Sequence, residues 1–359
     1  MIWRAEKYSG SMGADVFPAS LPLPPSCTVW RMPKTLLLLD GNHLMHRAFW
    51  AIQRSLSTSK GEQTNAVFGV ASMLLTMLQR EKPDAIIACF DEGKETHRHK
   101  LHDAYKAGRQ ETPDDFYTQI PRVHQCFASF SIPTVSDAEY EADDFIGTLA
   151  LRGSKEGWEV IIVTGDRDLF QMADHSIRIA VPHKGYAEPE YLDAKGVEAK
   201  LGVRPDQVAD YKGLVGDASD NLKGVKGIGP KTAETLLQQY GTLESVYEHV
   251  EEIRGSNRAK LEADKESAFF CRDLARLVTD VPVTIDLEEL LGRGTQIAEV
   301  ERFFAEVEFY TLRSRLKKLL QGDAYMRKYF SGEFSLSIPE EDASRENERM
   351  TVEQLPLLD

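Results

Sequence analysis

Long apolar runs are missing from this chain. Nothing in its 359 residues approaches the roughly 20 consecutive apolar residues that span a bilayer, so a transmembrane helix is not expected. Cysteine is scarce: Cys27, Cys89, Cys126 and Cys271 are scattered, with no Cys-x-x-Cys pair. That argues against a zinc site and a disulfide framework, and it fits a reducing compartment. Residues 1–33 contain no apolar core of a secretory signal. They are rich in Pro, Ser and small residues without a period and read as a disordered or non-native extension. Glu6 and Asp15 count against a transit peptide, and Met32, directly before the first strand, is an alternative start. Net positive charge is also missing. At −14 the chain is at face value a poor partner for nucleic acid. Much of that sum is local: the stretch from Ser331 to Asp359 has eight acids and two bases, so it contributes −6 and leaves −8 for the body. If body acids chelate cations, the working surface can still be locally positive.

What is present is an ordinary globular composition, 42% hydrophobic and 28% charged, at a length that allows a main domain and a smaller one. The first strand reads as Thr35–Leu39, followed by helices over His43 to about Gln53 and Asn65–Arg80. A second strand, Ala85–Phe90, leads into Glu92–Thr112, which is poor in aliphatics and carries Lys94, Arg98, Lys100, Lys106 and Arg109. A helix from Asp114 to about Phe130, an extended Ile132–Val135 and a helix opening at Glu141-Ala-Asp143-Asp144 follow. Val160–Val163 is a further strand, closed by Thr164-Gly-Asp166-Arg-Asp168. Continuous apolar strands are those covered on both faces, and ligands of such sheets bind beyond the strands' carboxyl ends. Three strands end in an acid: Leu39-Asp40, Phe90-Asp91 and Thr164-Gly-Asp166. A single strand-end Asp is explained by its turn and capping chemistry, and acids at a helix start by the dipole. Three ends together with Glu141, Asp143 and Asp144 point instead to a hard-cation site, because clustered carboxylates repel one another unless cations hold them.

From Tyr191 to about Leu320 the pattern is helical with Gly-rich turns, the last helix spanning Glu299 to about Leu320 and packing back on the body. Gly216-Asp217-Ala-Ser-Asp220-Asn221 places two more acids at i, i+3. Gly224-Val-Lys226-Gly227-Ile-Gly229-Pro-Lys231-Thr232 is a glycine turn feeding a helix with Pro at its start. Its backbone N–H groups can hold a phosphate, with Lys231 and Thr232 adding contacts, although a plain helix-packing turn would look similar. The spacing Gly224 to Gly229 is a near miss for a P-loop. Pro230 precedes Lys231-Thr232 and no apolar strand leads in, so nucleotide binding is rejected. A phosphatase of the haloacid-dehalogenase type needs Asp where Asn42 stands. A PIN-type ribonuclease fits only the front half, and a non-catalytic DNA-binding module leaves the clustered acids without a purpose.

With these motifs in hand, residues 34 to 320 resemble the 5′-nuclease family, nearest in pattern to the 5′→3′ exonuclease domain of bacterial DNA polymerase I and more distantly the flap endonucleases. The resemblance implies a PIN-like α/β domain over 34–204, with a mostly parallel sheet flanked by helices and a helical arch at about 92–120. It implies an all-helical helix–two-turn–helix DNA-binding domain over 205–322, of the helix-hairpin-helix type, and an acidic disordered tail or linker over 323–359. The implied activity is structure-specific 5′→3′ exonuclease and 5′-flap endonuclease cleavage of DNA in replication and repair. It would use two Mg²⁺ ions about 4 Å apart, with Mn²⁺ as a substitute. All nine carboxylates of the pattern are present. Asp40, Asp91, Glu141, Asp143 and Asp144 are assigned to one ion, and Asp166, Asp168, Asp217 and Asp220 to the other. Lys106, Arg109 and Arg47 are the implied basic groups at the scissile phosphate. Tyr105, Arg98, Lys226, Gly227, Gly229, Lys231 and Thr232 are implied DNA contacts, with K⁺ at the Gly224–Gly229 turn as a further candidate ion. The expected partner is DNA with 5′ flaps, nicks or ends, bound largely without sequence specificity by a monomer. A polymerase would act in trans or on a longer chain. The expected location is cytoplasmic and nucleoid-associated, with an organelle as the alternative.

Overall fold

The computed structural model describes residues 33–52, 56–93, 95–108 and 112–336. The expected loose segment at 1–33 lies almost wholly outside them, as do Lys94, Arg109 and the tail beyond Leu336. Six strands form the main sheet: β1 Lys34–Asp40, β2 Ala85–Cys89, β3 Thr134–Val135, β4 Trp158–Val163, β5 Ile177–Val181 and β6 Glu190–Leu192. Their order is β3-β2-β1-β4-β5-β6, parallel except for β6, which closes one edge antiparallel to β5. The chain winds outward from β1 through β2 to β3, then returns to β4 on the other side of β1. The sheet's switch point therefore lies between β1 and β4, the usual ligand crevice of such folds.

The apolar strands are buried on both faces, as their lack of alternation requires. Leu36, Leu37, Leu38 and Leu39 of β1 are all fully buried; Leu37 and Leu39 enter one core and Leu36 and Leu38 the other. Each contributes on the order of 1.5–3 kcal/mol by burial. The first core is roofed by α1 Gly41–Ala51 and α2 Asn65–Glu81. Among the described residues of 92–119 the helices are α3 His97–Leu101 and α4 Asp114–Tyr117, set among turns. The segment lacks the aliphatic spacing that would bury a longer helical face. Its continuation, α5 Ile120–Ser129, is separate from α4, and Pro121 stands in its first turn, so the single helix expected over 114–130 is two.

The second core is covered by α6 Ala142–Lys155 and by the helical part of the chain. That part comprises α7 Ala194–Leu201, α8 Val208–Val215, α9 Pro230–Tyr240, α10 Leu243–Glu248, α11 Ser256–Ala263 and α12 Lys265–Ala275. Leu38 and Val160 of the sheet share one apolar cluster with Leu237 and Val246, so the core is continuous across the junction at 204–205.

The final segment departs from expectation. The helix expected over 299–320 is α13 Ile297–Glu306 and α14 Tyr310–Gly322, broken where Glu308 takes a left-handed φ of 60°. Both return to the first core beside α2 and α5 rather than staying with the helical part. Residues 323–336 are not tail. α15 Ala324–Tyr329 leads into β8 Phe330–Ser331, which pairs with β7 Thr295–Gln296, and Met326 and Phe330 are buried in that core. The acid-rich composition beyond 331 hid the two apolar anchors just before it.

Candidate metal and nucleic-acid site

Sheet register gathers the first acids. Asp40 lies opposite Cys89, and Leu39 lies opposite Val163. Asp91, two residues beyond Cys89, and Asp166, three beyond Val163, therefore reach the same edge as Asp40. α6 begins there too, because the Ala142 N–H donates to Asp91 Oδ1 at 2.8 Å. Asn42 and Asp91 exchange two hydrogen bonds, side chain to side chain and backbone N–H to side-chain oxygen, each 3.1 Å. Asp40 accepts from the His43 N–H at 2.9 Å as cap of α1, and from Thr164 Oγ1 at 2.7 Å. Gly165 keeps this edge closed: any side chain there would collide with the His43 ring. Asn42, His43 and Thr164 are thus working parts of the edge that the residue pattern alone did not single out.

Asp91 and Asp166 lie close enough to act electrostatically on Asp40 and Asp143. Burial pushes Asp40 up to about 7, against the hydrogen bonds from His43 and Thr164, and the charges of Asp166 and Asp91 add to the rise. Burial pushes Asp143 well above the carboxylate range as well, reinforced by Asp166, Asp40 and Asp91. Such a cluster has a deficit of positive charge. Its donors are all carboxylate oxygen, which suits a hard divalent cation such as Mg²⁺ or Mn²⁺ and no soft metal.

Glu141 and Asp144 are engaged by basic groups of the chain itself. Asp144 is fully buried, and both its oxygens accept from Arg98 at 2.7 Å, a bidentate pair. Asp144 also accepts the Val278 N–H at 2.9 Å. These bonds tie the start of α6 to Arg98 and to the backbone at Val278. Arg98, expected on DNA, is itself buried. It spends its remaining donors on Glu141 at 3.0 Å and on the carbonyls of Leu274 at 2.8 Å and Arg276 at 3.1 Å. Tyr105, also expected on DNA, is buried, and its hydroxyl lies between Glu141 at 3.2 Å and Asp220 at 3.3 Å. Lys106 donates to Glu141 at 2.7 Å, and its backbone N–H donates to the Asp220 carbonyl at 3.1 Å. Burial would raise the Glu141 carboxyl, but Lys106 and Arg98 outweigh it and hold the group below its ordinary range.

A third group is assembled from afar. Asp168 follows β4, and Asp217 and Asp220 lie in the loop after α8; an oxygen from each falls within 4.8 Å of the others. Lys212 of α8 is largely buried and pairs with both Asp168 and Asp217, the latter at 2.6 Å. Asp166 thus lies with Asp40, Asp91 and Asp143, while Asp168 lies with Asp217 and Asp220.

The glycine turn is built as a close backbone crossing. Gly224 has a φ of 58°, and a side chain on it would collide with the backbone at Gly216, locking the turn to the loop that carries Asp217 and Asp220. Gly227 (φ 81°) is held by Lys260 Nζ on its carbonyl at 3.0 Å, and space around Gly229 is open. No side chain caps α9, whose first residue is Pro230. Lys226 and Lys231 are exposed beside it, and Thr232 is half-buried. Arg47 on α1 is half-buried, and its Nε finds no partner among the described residues. Arg109 lies outside the described residues.

Two family models match the chain. One, described as 5′-3′ exonuclease, N-terminal resolvase-like domain, covers residues 35–202; the other, 5′-3′ exonuclease, C-terminal SAM fold, covers 203–298. DNA polymerase I of Bacillus subtilis (strain 168) is 40% identical over 284 residues, which span 79% of this chain and 32% of that protein. DNA polymerase I of Chloroflexus aurantiacus is 42% identical over 288 residues, 79% of this chain and 30% of its own length. The chain thus spans about a third of the length of these relatives. Among solved structures, the T5 D15 protein crystallised with metal ions superposes with a TM-score of 0.58 at 18% identity, over 68% of this chain and 90% of that one. The catalytic core of Rad2 in complex with DNA substrate gives 0.52 at 16% identity, over 81% of this chain and 93% of that one.

Proposed function

The chain belongs to the 5′-3′ exonuclease family, and from that premise we propose that it hydrolyses DNA phosphodiesters at 5′ ends, nicks and 5′ flaps, in primer removal and repair. The observation that carries the proposal is the acidic edge itself. Asp40, Asp91, Asp143 and Asp166 crowd one end of a parallel sheet, and Asp168, Asp217 and Asp220 cluster beside them.

In this reading the first four acids hold one divalent cation and the last three another, Mg²⁺ by donor chemistry, with Mn²⁺ as a substitute. When bound, such cations supply Lewis acidity and lower the pKa of coordinated water. The chain's own residues do the rest. Thr164 and Asn42 fix the orientations of Asp40 and Asp91. Arg98 clamps α6 so that Asp143 stays at the edge. Lys106 reaches Glu141 at the site, placing an ammonium where an incoming phosphate's charge needs a partner. Arg47 and Arg109 remain proposed phosphate contacts. Lys226, Gly227, Gly229, Lys231 and Thr232 form a proposed backbone grip at the start of α9, which holds phosphates without reading sequence; K⁺ at the turn is part of that proposal. A cytoplasmic monomer acting on DNA alongside a polymerase, on the same or another chain, completes the proposal. Among the described residues no helix is long and apolar enough to cross a membrane.

The test compares cleavage of 5′-flap DNA and of a matched RNA, with Mg²⁺ and with EDTA, for the native chain and Asp143→Ala. Native cleavage of the DNA should require Mg²⁺, and the variant should lose about 10²-fold or more of it while still binding the duplex. Undiminished cleavage by the variant would remove Asp143 from the cation site, and equal cleavage of RNA would overturn the substrate assignment.

A further inference from the structure

We propose that Lys212 is a resident counter-ion of the Asp168–Asp217–Asp220 cluster, an internal cation that holds these acids together and must yield its place when a divalent cation enters. The inference rests on the reading that this cluster binds such a cation, and it assigns a role to a residue that no sequence motif singled out.

Three carboxylates offer oxygens within 4.8 Å of one another, which is unfavourable without nearby positive charge. The Lys212 ammonium supplies it, pairing with Asp168 and, at 2.6 Å, with Asp217 Oδ2. Asp217 shows the effect: burial would raise its carboxyl, yet Lys212 and Ser219 hold it below its ordinary range. The placement is constructive as well as electrostatic. Asp168 follows β4, whereas Lys212 and Asp217 flank the end of α8, so the ammonium ties the sheet edge to the helical part that carries the glycine turn.

Lys212 also lines a cavity of about 560 Å³ together with His43, Asp166, Arg167, Asp217, Ser219 and Pro230. This space allows a four-carbon side chain to swing aside while its end stays near the acids. The first acidic group is different. Among the described residues no lysine or arginine forms an ion pair with Asp40, Asp91, Asp143 or Asp166, and the donors on Asp40 and Asp91 are the neutral His43 N–H, Thr164 hydroxyl, Asn42 amide and Ala142 N–H. One cluster therefore carries its own exchangeable cation and the other does not, so the two should fill with divalent ions at different affinities, the Lys212 cluster more weakly.

The test is titration of Mn²⁺ and of Mg²⁺ into the full chain by calorimetry, with melting temperature read in EDTA and in saturating Mg²⁺. Native chain, Lys212→Met and Lys212→Arg are compared. The native chain should show a tighter and a weaker class of site. Lys212→Met should tighten the weaker class by about tenfold or more, because a competing positive charge is gone. It should also melt lower than native in EDTA and recover in Mg²⁺. Lys212→Arg should bind the ion as the native chain does. A Lys212→Met chain unfolded in EDTA but folded in Mg²⁺ supports the proposal equally, and one unfolded in both overturns it. Unchanged or weaker cation binding by a folded Lys212→Met, against a native chain with two classes of site, overturns the counter-ion role alone. A native chain that binds no divalent cation overturns the cation-site reading, and this inference with it.

Discussion

Arg98 donates to both oxygens of Asp144, while the next residue back, Asp143, is left among like charges at the sheet edge. Two adjacent acids in one motif thus stand in opposite surroundings, one paired at the start of α6 and the other among carboxylates. Arg98→Ala should destabilise the fold by about 3–5 kcal/mol in chemical denaturation, because it leaves Glu141 and Asp144 buried with reduced compensation. Arg98→Lys should recover only part of that, since an ammonium cannot reproduce the planar two-point pair. A loss near zero would show that the buried pair is not holding α6. Glu301 makes a comparable arrangement at the far side of the first core. It is fully buried, accepts from Arg313 Nε at 2.9 Å, and accepts the Ser335 and Leu336 N–H groups at 2.6 and 3.1 Å. Burial would raise its carboxyl, but these donors hold it below the ordinary value of 4.5. A depressed folded-state pKa contributes stability that is present above the unfolded value and is lost as pH falls through the folded one. Melting curves should therefore show Glu301→Gln less stable than native at neutral pH, with the gap closing below about pH 4. A gap that persists unchanged into acid would assign the effect to packing instead.

At the scale of elements, the turn from Gly224 to Gly229 and α9 form a unit whose geometry is set by close backbone approach, with Lys226 and Lys231 exposed at its mouth. In the proposed phosphate grip each lysine neutralises a backbone charge. Lys226→Ala combined with Lys231→Ala should weaken duplex binding across all sequences. It should also reduce the slope of log affinity against log salt by up to about 2, near 0.9 per lost contact. Binding with an unaltered slope would place the DNA elsewhere on the surface. The turn was legible in the residues because glycine spacing and Pro230 at a helix start are local signals. The fold of the described residues 95–108 was less so. That stretch carries charge without apolar periodicity, so its path depends on what Arg98, Tyr105 and Lys106 find in space.

For the whole molecule, the last described segment belongs to the first core and not to a tail. Met326 and Phe330 are buried there, and β8 pairs with β7. A chain ending at residue 322 should be less stable than one ending at 336 by several kcal/mol, about 1.5–3 for each of these two side chains before the strand pair is counted. Equal melting temperatures would show that the segment is an appendage. The net charge of −14 also looks different once the fold is seen, because seven of the acids are gathered into two groups, four at the sheet edge and three around the loop after α8, and Lys226 and Lys231 are exposed at the glycine turn.

The sequence by itself determined that acids would stand at the ends of buried strands and at a helix start. Continuous apolar runs can only be strands covered on both faces, and whatever follows them emerges at one edge. It also determined the glycine turn, since Gly and Pro act through their own backbones. Only the tertiary structure decided which acids are paired, and with which basic group. Arg98 meets Asp144 from 46 residues away, and Lys212 reaches Asp168 from another part of the fold. A carboxylate's charge state depends on what is brought within a few ångströms of it, and no local pattern carries that information.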